Sequence, residues 1–131
     1  MASIFTKIVT GEIPCYKIAE TENCFAFLDI SPLAPGHTLV VPKKEIDYIF
    51  DIDDPLFIEL QLFAKRVAAA LKKSVSCKRI GVAVIGLEVP HAHIHLIPMN
   101  QVSDMNFALP KLSLPKHQME QIAKDIALNL K

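Results

Sequence analysis

Pro90-His91-Ala92-His93-Ile94-His95-Leu96-Ile97-Pro98 is the stretch from which the rest of the chain is read. Its alternation of apolar and polar residues, closed at both ends by proline, predicts a β-strand over residues 91–98. Successive side chains of a strand point to opposite faces. His91, His93 and His95 therefore share one face, and Ala92, Ile94 and Leu96 turn into the core. Three of the chain's five histidines on one face is not what core packing produces. They cannot all be charged near neutrality, because each positive ring lowers the pKa of the next. At least one imidazole stays neutral, and a neutral imidazole is a base, a nucleophile or a metal ligand. Two chemistries stay open on spacing alone. One is a metal hydrolase, with three imidazoles on a Zn²⁺ that keeps an open position. The other is covalent catalysis, with one ring attacking phosphorus, a neighbour orienting it and another protonating the leaving group. Gly86, just upstream, gives backbone N–H groups room to approach phosphate oxygens.

Working outward, apolar spacing over residues 3–9 predicts a short helix stopped by Gly11 and Pro14. Residues 15–20 and 23–30 read as a hairpin. Ser31-Pro32-Leu33-Ala34-Pro35-Gly36 is a proline-stiffened loop, and His37-Thr38-Leu39-Val40-Val41 a third strand ended by Pro42. Asp53-Asp54-Pro55 opens a helix to Lys73, with an acidic N-cap and proline in its first turn. Leu56, Leu60, Phe63, Val67 and Leu71 form its buried stripe. Residues 79–85 are a fourth strand, 86–90 a loop, and 99–115 an extended tail. After Pro115 a last helix runs to about residue 130, with Met119, Ile122, Ile126 and Leu130 on one face. The order α-β-β-β-α-β-β-α predicts an α+β fold: a mostly antiparallel five-stranded sheet covered by a long helix and a C-terminal helix. One domain spans residues 1–131, with its core at about 3–98 and a C-terminal extension at 99–131.

The 131 residues are 51% hydrophobic, and fourteen Lys+Arg balance fourteen Asp+Glu. That balance excludes disorder and a polybasic protein held to nucleic acid by phosphate neutralisation. No run reaches the roughly 18–20 apolar residues of a membrane span, and the start does not read as a signal peptide. Three cysteines without a Cys-x-x-Cys pair fit reduced thiols, so a cytoplasmic location is expected, with no nucleic-acid or membrane partner. A neutral, apolar-rich chain also favours self-association.

The run from His91 to Ile97 matches the His-φ-His-φ-His-φ-φ motif, φ being apolar, and on it the chain resembles the histidine triad (HIT) superfamily. Further segments are similar to its Hint branch: Ile4-Phe5-Thr6-Lys7-Ile8, Gly11-Glu12-Ile13-Pro14, Ala26-Phe27-Leu28-Asp29-Ile30-Ser31-Pro32, Pro35-Gly36-His37 and Val40-Val41-Pro42-Lys43-Lys44. The resemblance covers about residues 3–98. It implies a HIT-like fold, a homodimer meeting through the helix over residues 55–73, and a nucleotide hydrolase or transferase acting on AMP-like purine nucleotides.

The resemblance also implies roles. His93 would attack the α-phosphorus and form a nucleotidyl-histidine that water cleaves. His95 would contact the phosphate or leaving group, while His91 and His37 complete the network that holds the tautomer. Asp29 would bind the ribose hydroxyls; read alone, it is also a turn-capping Asp before Ser31-Pro32. Phe5, Ile8, Phe27, Leu28 and Ile30 would wall the base pocket. Gly86, Glu88 and Val89 belong to the phosphate loop, where Glu88 would turn away from a bound anion. Many bacterial members hold a structural zinc with two cysteines and a histidine where this chain has Ser3, Thr6 and Glu45. No metal and no cofactor are therefore expected. The resemblance favours cleavage of nucleoside phosphoramidates or adenylated compounds such as AMP-lysine. The alternatives are dinucleoside polyphosphate hydrolysis, or a nucleotide-binding regulatory protein with incidental turnover.

Overall fold

The computed structural model describes residues 2–130; Met1 and Lys131, the ends of the expected 1–131 domain, lie outside the described residues. Ser3 caps α1 (Ile4–Val9), its Oγ accepting the Thr6 N–H at 3.1 Å. Strands β1 (Lys17–Glu20) and β2 (Cys24–Leu28) form the hairpin, closed by Thr21 N–H donating to Cys24 O at 2.9 Å. Strand β3 (Thr38–Pro42) follows, then α2 (Asp54–Ser74), then β4 (Arg79–Ala83), β5 (Ile94–Met99) and α3 (Lys116–Leu128). The Asp53 carboxylate accepts the Leu56 N–H at 3.0 Å and caps α2, and Lys72 and Lys73 stand in its last turn, where the helix dipole favours them. The five strands lie in the order β1-β2-β3-β5-β4, antiparallel throughout.

Strand parity divides the interior in two. Cys24, Ala26 and Leu28 of β2, Val40 of β3, and Ile94 and Leu96 of β5 face α2 and α3 in the main core. Phe25 and Phe27, with Leu39 and Val41, face the other way and form a smaller cluster with Phe5 of α1. Helix α3 joins the main core through Met119, Ala123 and Ile126, with Ile122 and Leu130 at its margin.

Strand boundaries differ from expectation by one to three residues, and the start of β5 bears on the site. Ladder pairing in β5 begins at Ile94 rather than at residue 91, because β3 reaches β5 only as far as Val40 opposite Ile94. His91 N–H instead turns back to Val89 O at 2.8 Å, and Ala92 N–H reaches Ile46 O at 2.7 Å. The alternation survives without the ladder: Ala92 packs in the main core with Ile94 and Leu96.

Met99, expected in the tail, is the last residue of β5, and residues 100–115 are irregular apart from a 3-10 turn at Val102–Asp104. Leu112 N–H donates to Pro32 O at 2.8 Å and fastens this strap across the loop that follows β2. Gly36, in that loop, has φ +93, and a Cβ there would stand 3.0 Å from both Leu71 Cδ1 and Val75 Cγ2. Gly36→Ala is therefore expected to destabilise the fold by about 1–3 kcal/mol. A urea unfolding midpoint equal to the parent's would contradict this.

Candidate active site

His37 leads into β3, His95 lies in β5 opposite Leu39, and His93 stands just before β5. Parity puts the three rings on the α1 side of the sheet, above the small aromatic cluster. Four rings form a row: Phe5 meets His93 edge-on at 4.9 Å between centroids, His93 meets His95 at 4.9 Å, and His95 meets Phe107 at 4.8 Å. The row floors a cavity of about 310 Å³ that is also lined by Asp29, Gly86, Glu88, Val89 and Lys111.

Main-chain partners decide where the imidazole protons sit, because a backbone N–H only donates and a carbonyl only accepts. Leu33 N–H donates to His37 Nδ1 at 3.0 Å, so a neutral His37 carries its proton on Nε2. That Nε2–H donates to His95 Nδ1 at 3.0 Å, which leaves the His95 proton on Nε2. His93 Nδ1 faces the His91 carbonyl oxygen at 2.8 Å and must donate to it, so the free electron pair of His93 is on Nε2. Side by side stand a ring whose Nε2 is a nucleophile or base and a ring whose Nε2 is a donor.

His91 does not join this chain. Its Nε2 donates to Pro42 O at 2.7 Å, and its Nδ1 accepts from Ser3 Oγ at 2.8 Å. The tautomer of His93 is held by the main chain of His91, not by its ring. The positions matching the zinc ligands, Ser3, Thr6 and Glu45, do meet at His91. Ser3 N–H and Thr6 Oγ1–H both donate to Glu45 Oε1, at 2.6 and 2.7 Å. Hydroxyls already spent in hydrogen bonds do not replace thiolates on zinc, so this set does not fit a structural zinc.

Burial is the first cause of the charge pattern. It pushes His37 down to about 4 and His95 down to about 3, with positive neighbours adding to each: Lys111 and His93 for His37, His93 and His37 for His95. Burial also lowers His91 and raises the Asp29 carboxyl. With His37 neutral at pH 7, its 3.6 Å approach to Asp29 Oδ2 is not an ion pair. Asp29, His37 and His95 place one ligand-type atom each within 4.8 Å of one another. A cation would need the electron pair of His37 Nε2, and Leu33 N–H keeps a proton there. That set therefore offers one electron pair fewer than its residue count.

Among the expected pocket residues, Phe5, Asp29, Gly86, Glu88 and Val89 line the cavity together with His37, His93 and His95. Asp29 is also the expected turn residue: its Oδ1 accepts Ser31 N–H at 2.9 Å. Four expectations need correction. Phe27 and Ile8 belong to the cluster beneath Phe5 and do not line the cavity. Leu28 cannot share a face with Phe27 on one strand and is buried in the main core. Ile30 lies past the end of β2, 72% exposed, in a groove beside α3. Gly86 takes φ +70, a backbone region that favours glycine. Among the described residues, the amides of Gly86, Leu87, Glu88 and Val89 make no main-chain hydrogen bond. Phe107, Lys111 and Leu39 are cavity residues that the sequence reading missed. Leu39 had a signal, lying two positions after His37 on one strand face; Phe107 and Lys111 had none, because the strap has no period.

The family model of the HIT domain matches residues 10–102. The chain is 33% identical to an uncharacterized HIT-like protein of Borreliella burgdorferi, covering 97% of each chain. It is 30% identical to an adenosine 5'-monophosphoramidase of Schizosaccharomyces pombe over the whole of both. A crystal structure of a Hit-like protein from Bartonella henselae superposes with a TM-score of 0.85 at 31% identity, covering 97% of this chain and 95% of that one.

The lowered histidines set an acid limit to stability. Each ring takes a proton in the unfolded chain near its ordinary value of 6.5, but in the folded chain only near 4 or 3. The unfolded state thus binds more protons across that window, and stability falls as pH drops from 6.5 toward 4. The loss is at most about 1.4 kcal/mol per pH unit for each ring. Urea midpoints at a series of pH values check this; a His95→Gln variant with an undiminished slope would contradict it.

Proposed function

The chain belongs to the HIT domain family, and from that premise we propose that it hydrolyses nucleoside phosphoramidates or related adenylated compounds at the α-phosphorus, through a covalent nucleotidyl intermediate on His93. One observation carries this reading: His93 Nδ1–H is committed to the His91 carbonyl, so Nε2 offers its electron pair at the cavity floor. Attack by Nε2 forms the phosphorus–nitrogen bond as the bond to the leaving amine breaks. The ring then carries positive charge, and its Nδ1–H bond to the carbonyl strengthens accordingly. His95 Nε2–H, whose direction is set by His37 and Leu33, donates to a phosphoryl oxygen or to the leaving group. The open amides of the Gly86-Leu87-Glu88-Val89 loop stabilise charge building on the phosphoryl oxygens. Asp29 Oδ2 is left for the ribose hydroxyls while Oδ1 holds the turn, and Phe5 forms the apolar end of the cavity. With the amine gone as the protonated product, water attacks the same phosphorus. The His93 Nε2–phosphorus bond breaks and returns its electron pair to Nε2, and the water's proton restores His95 Nε2–H as the nucleotide leaves. A phosphoramidate is already activated, so these steps need no metal. The relative from Schizosaccharomyces pombe, named as an adenosine 5'-monophosphoramidase, supports the substrate class.

The same reading gives the chain a second copy as partner. Strand β4 is an edge of the sheet, and Val82 within it is 62% exposed. Ile58 and Leu62 on α2, and Tyr48 and Phe50 in the connection before it, are further exposed apolar side chains. An edge strand with exposed apolar side chains pairs readily with its own symmetry mate. Among the described residues no helix is long and apolar enough to cross a membrane.

His93→Ala is expected to lower kcat on an adenosine phosphoramidate by about a thousandfold or more, and His93→Ala turning over at the parent's rate would refute the assignment. Light scattering at micromolar concentration is expected to give twice the chain's 14.6 kDa, with Val82→Glu shifting it toward one chain. A parent that remains a monomer would contradict the pairing.

A further inference from the structure

We propose that Ser3 and Glu45 are positioning residues for His93, acting through His91 from outside the cavity. The inference rests on the reading of His93 as nucleophile. Four consecutive links carry it. Glu45, in the turn after β3, accepts on one oxygen from both Ser3 N–H and Thr6 Oγ1–H, at 2.6 and 2.7 Å, and so ties down the first turn of α1. The Ser3 hydroxyl, oriented there by accepting Thr6 N–H at 3.1 Å, donates to His91 Nδ1 at 2.8 Å. Pro42 O, three residues before Glu45, accepts the single N–H of the His91 ring, on Nε2, at 2.7 Å. The His91 carbonyl then receives His93 Nδ1–H at 2.8 Å.

Both nitrogens of the His91 ring are spent in this way, and the ring is fully buried and absent from the cavity wall. Its chemistry is therefore to hold a peptide group in place. That peptide has no ladder partner to hold it, since β5 begins only at Ile94. The ring's two hydrogen bonds take the ladder's place, together with the turn to Val89 and the Ala92 N–H bond to Ile46 O at 2.7 Å. Ser3 is itself buried, so removing its hydroxyl leaves a buried acceptor unmatched and the ring free to turn. The same anchor carries Phe5, the second residue of α1, which meets the His93 ring edge-on. An exposed carboxylate is ordinarily worth little, but this one joins the two segments that grip His91.

The test is steady-state kinetics at 25 °C on an adenosine phosphoramidate, with rates normalised to the folded fraction measured by circular dichroism. Ser3→Ala and Glu45→Ala are each expected to lower kcat about tenfold while KM stays within about twofold, because the reacting ring is misaimed and not the substrate. The double variant is expected to fall no further than about the worse single one, since both act on one link. Glu45→Gln, whose amide oxygen can accept the same two bonds, is expected to recover to within about threefold of the parent. Losses confined to KM, losses that multiply in the double variant, or a Glu45→Gln no better than Glu45→Ala would overturn the proposal. So would alanine variants with an unchanged kcat beside an inactive His93→Ala, in which case the nucleophile reading stands alone. If His93→Ala is itself fully active, both fall together.

Discussion

The hydrogen bond from His93 Nδ1 to the His91 carbonyl, 2.8 Å long, is the constraint on which the rest of the site depends. A carbonyl cannot donate, so the bond has a fixed sense and fixes the tautomer of the ring that makes it. A backbone N–H, which cannot accept, does the same for His37 and through it for His95. Three imidazoles of identical chemistry are thereby given different jobs by the main chain. Burial completes the division, keeping His37 and His95 uncharged at neutral pH so that their bonds keep one direction.

The fold supplies these main-chain groups by interrupting regular structure at the right places. A ladder-paired residue has its amide and carbonyl committed to a neighbouring strand, whereas residues 91–93 leave the sheet and keep theirs for local use. The His91–Ala92 peptide is held instead by the Ala92 N–H bond to Ile46 O and by the two hydrogen bonds of the buried His91 ring. Strand parity does the rest. One face of the sheet takes aliphatic side chains against α2 and α3, while the other carries histidines above phenylalanines. The Phe5–His93–His95–Phe107 row shows how closely that second face is packed.

Much of this was legible in the sequence, for reasons that differ from residue to residue. The three histidines at alternate positions gave their shared face without any knowledge of pairing, since parity holds wherever the chain is extended. Asp53-Asp54-Pro55 marked the start of α2 because capping and proline geometry are local. Leu28 was misplaced because a family segment was carried over whole, although parity forbids adjacent residues on a strand from sharing a face. His91 was expected in the imidazole network because side-chain spacing says nothing about a main-chain carbonyl. Phe107 and Lys111 were out of reach, since the strap is placed by one long-range bond, Leu112 N–H to Pro32 O, which leaves no trace in periodicity.

The most direct test of the account is the protonation pattern of the His93 ring, read by long-range ¹H–¹⁵N correlation in uniformly labelled protein at about pH 8.5, where imidazoles are neutral. The account predicts a His93 with its proton on Nδ1 and a bare Nε2, beside a His95 with its proton on Nε2. A His93 protonated on Nε2 instead would contradict it, because the ring would then present a donor to phosphorus where an electron pair is required.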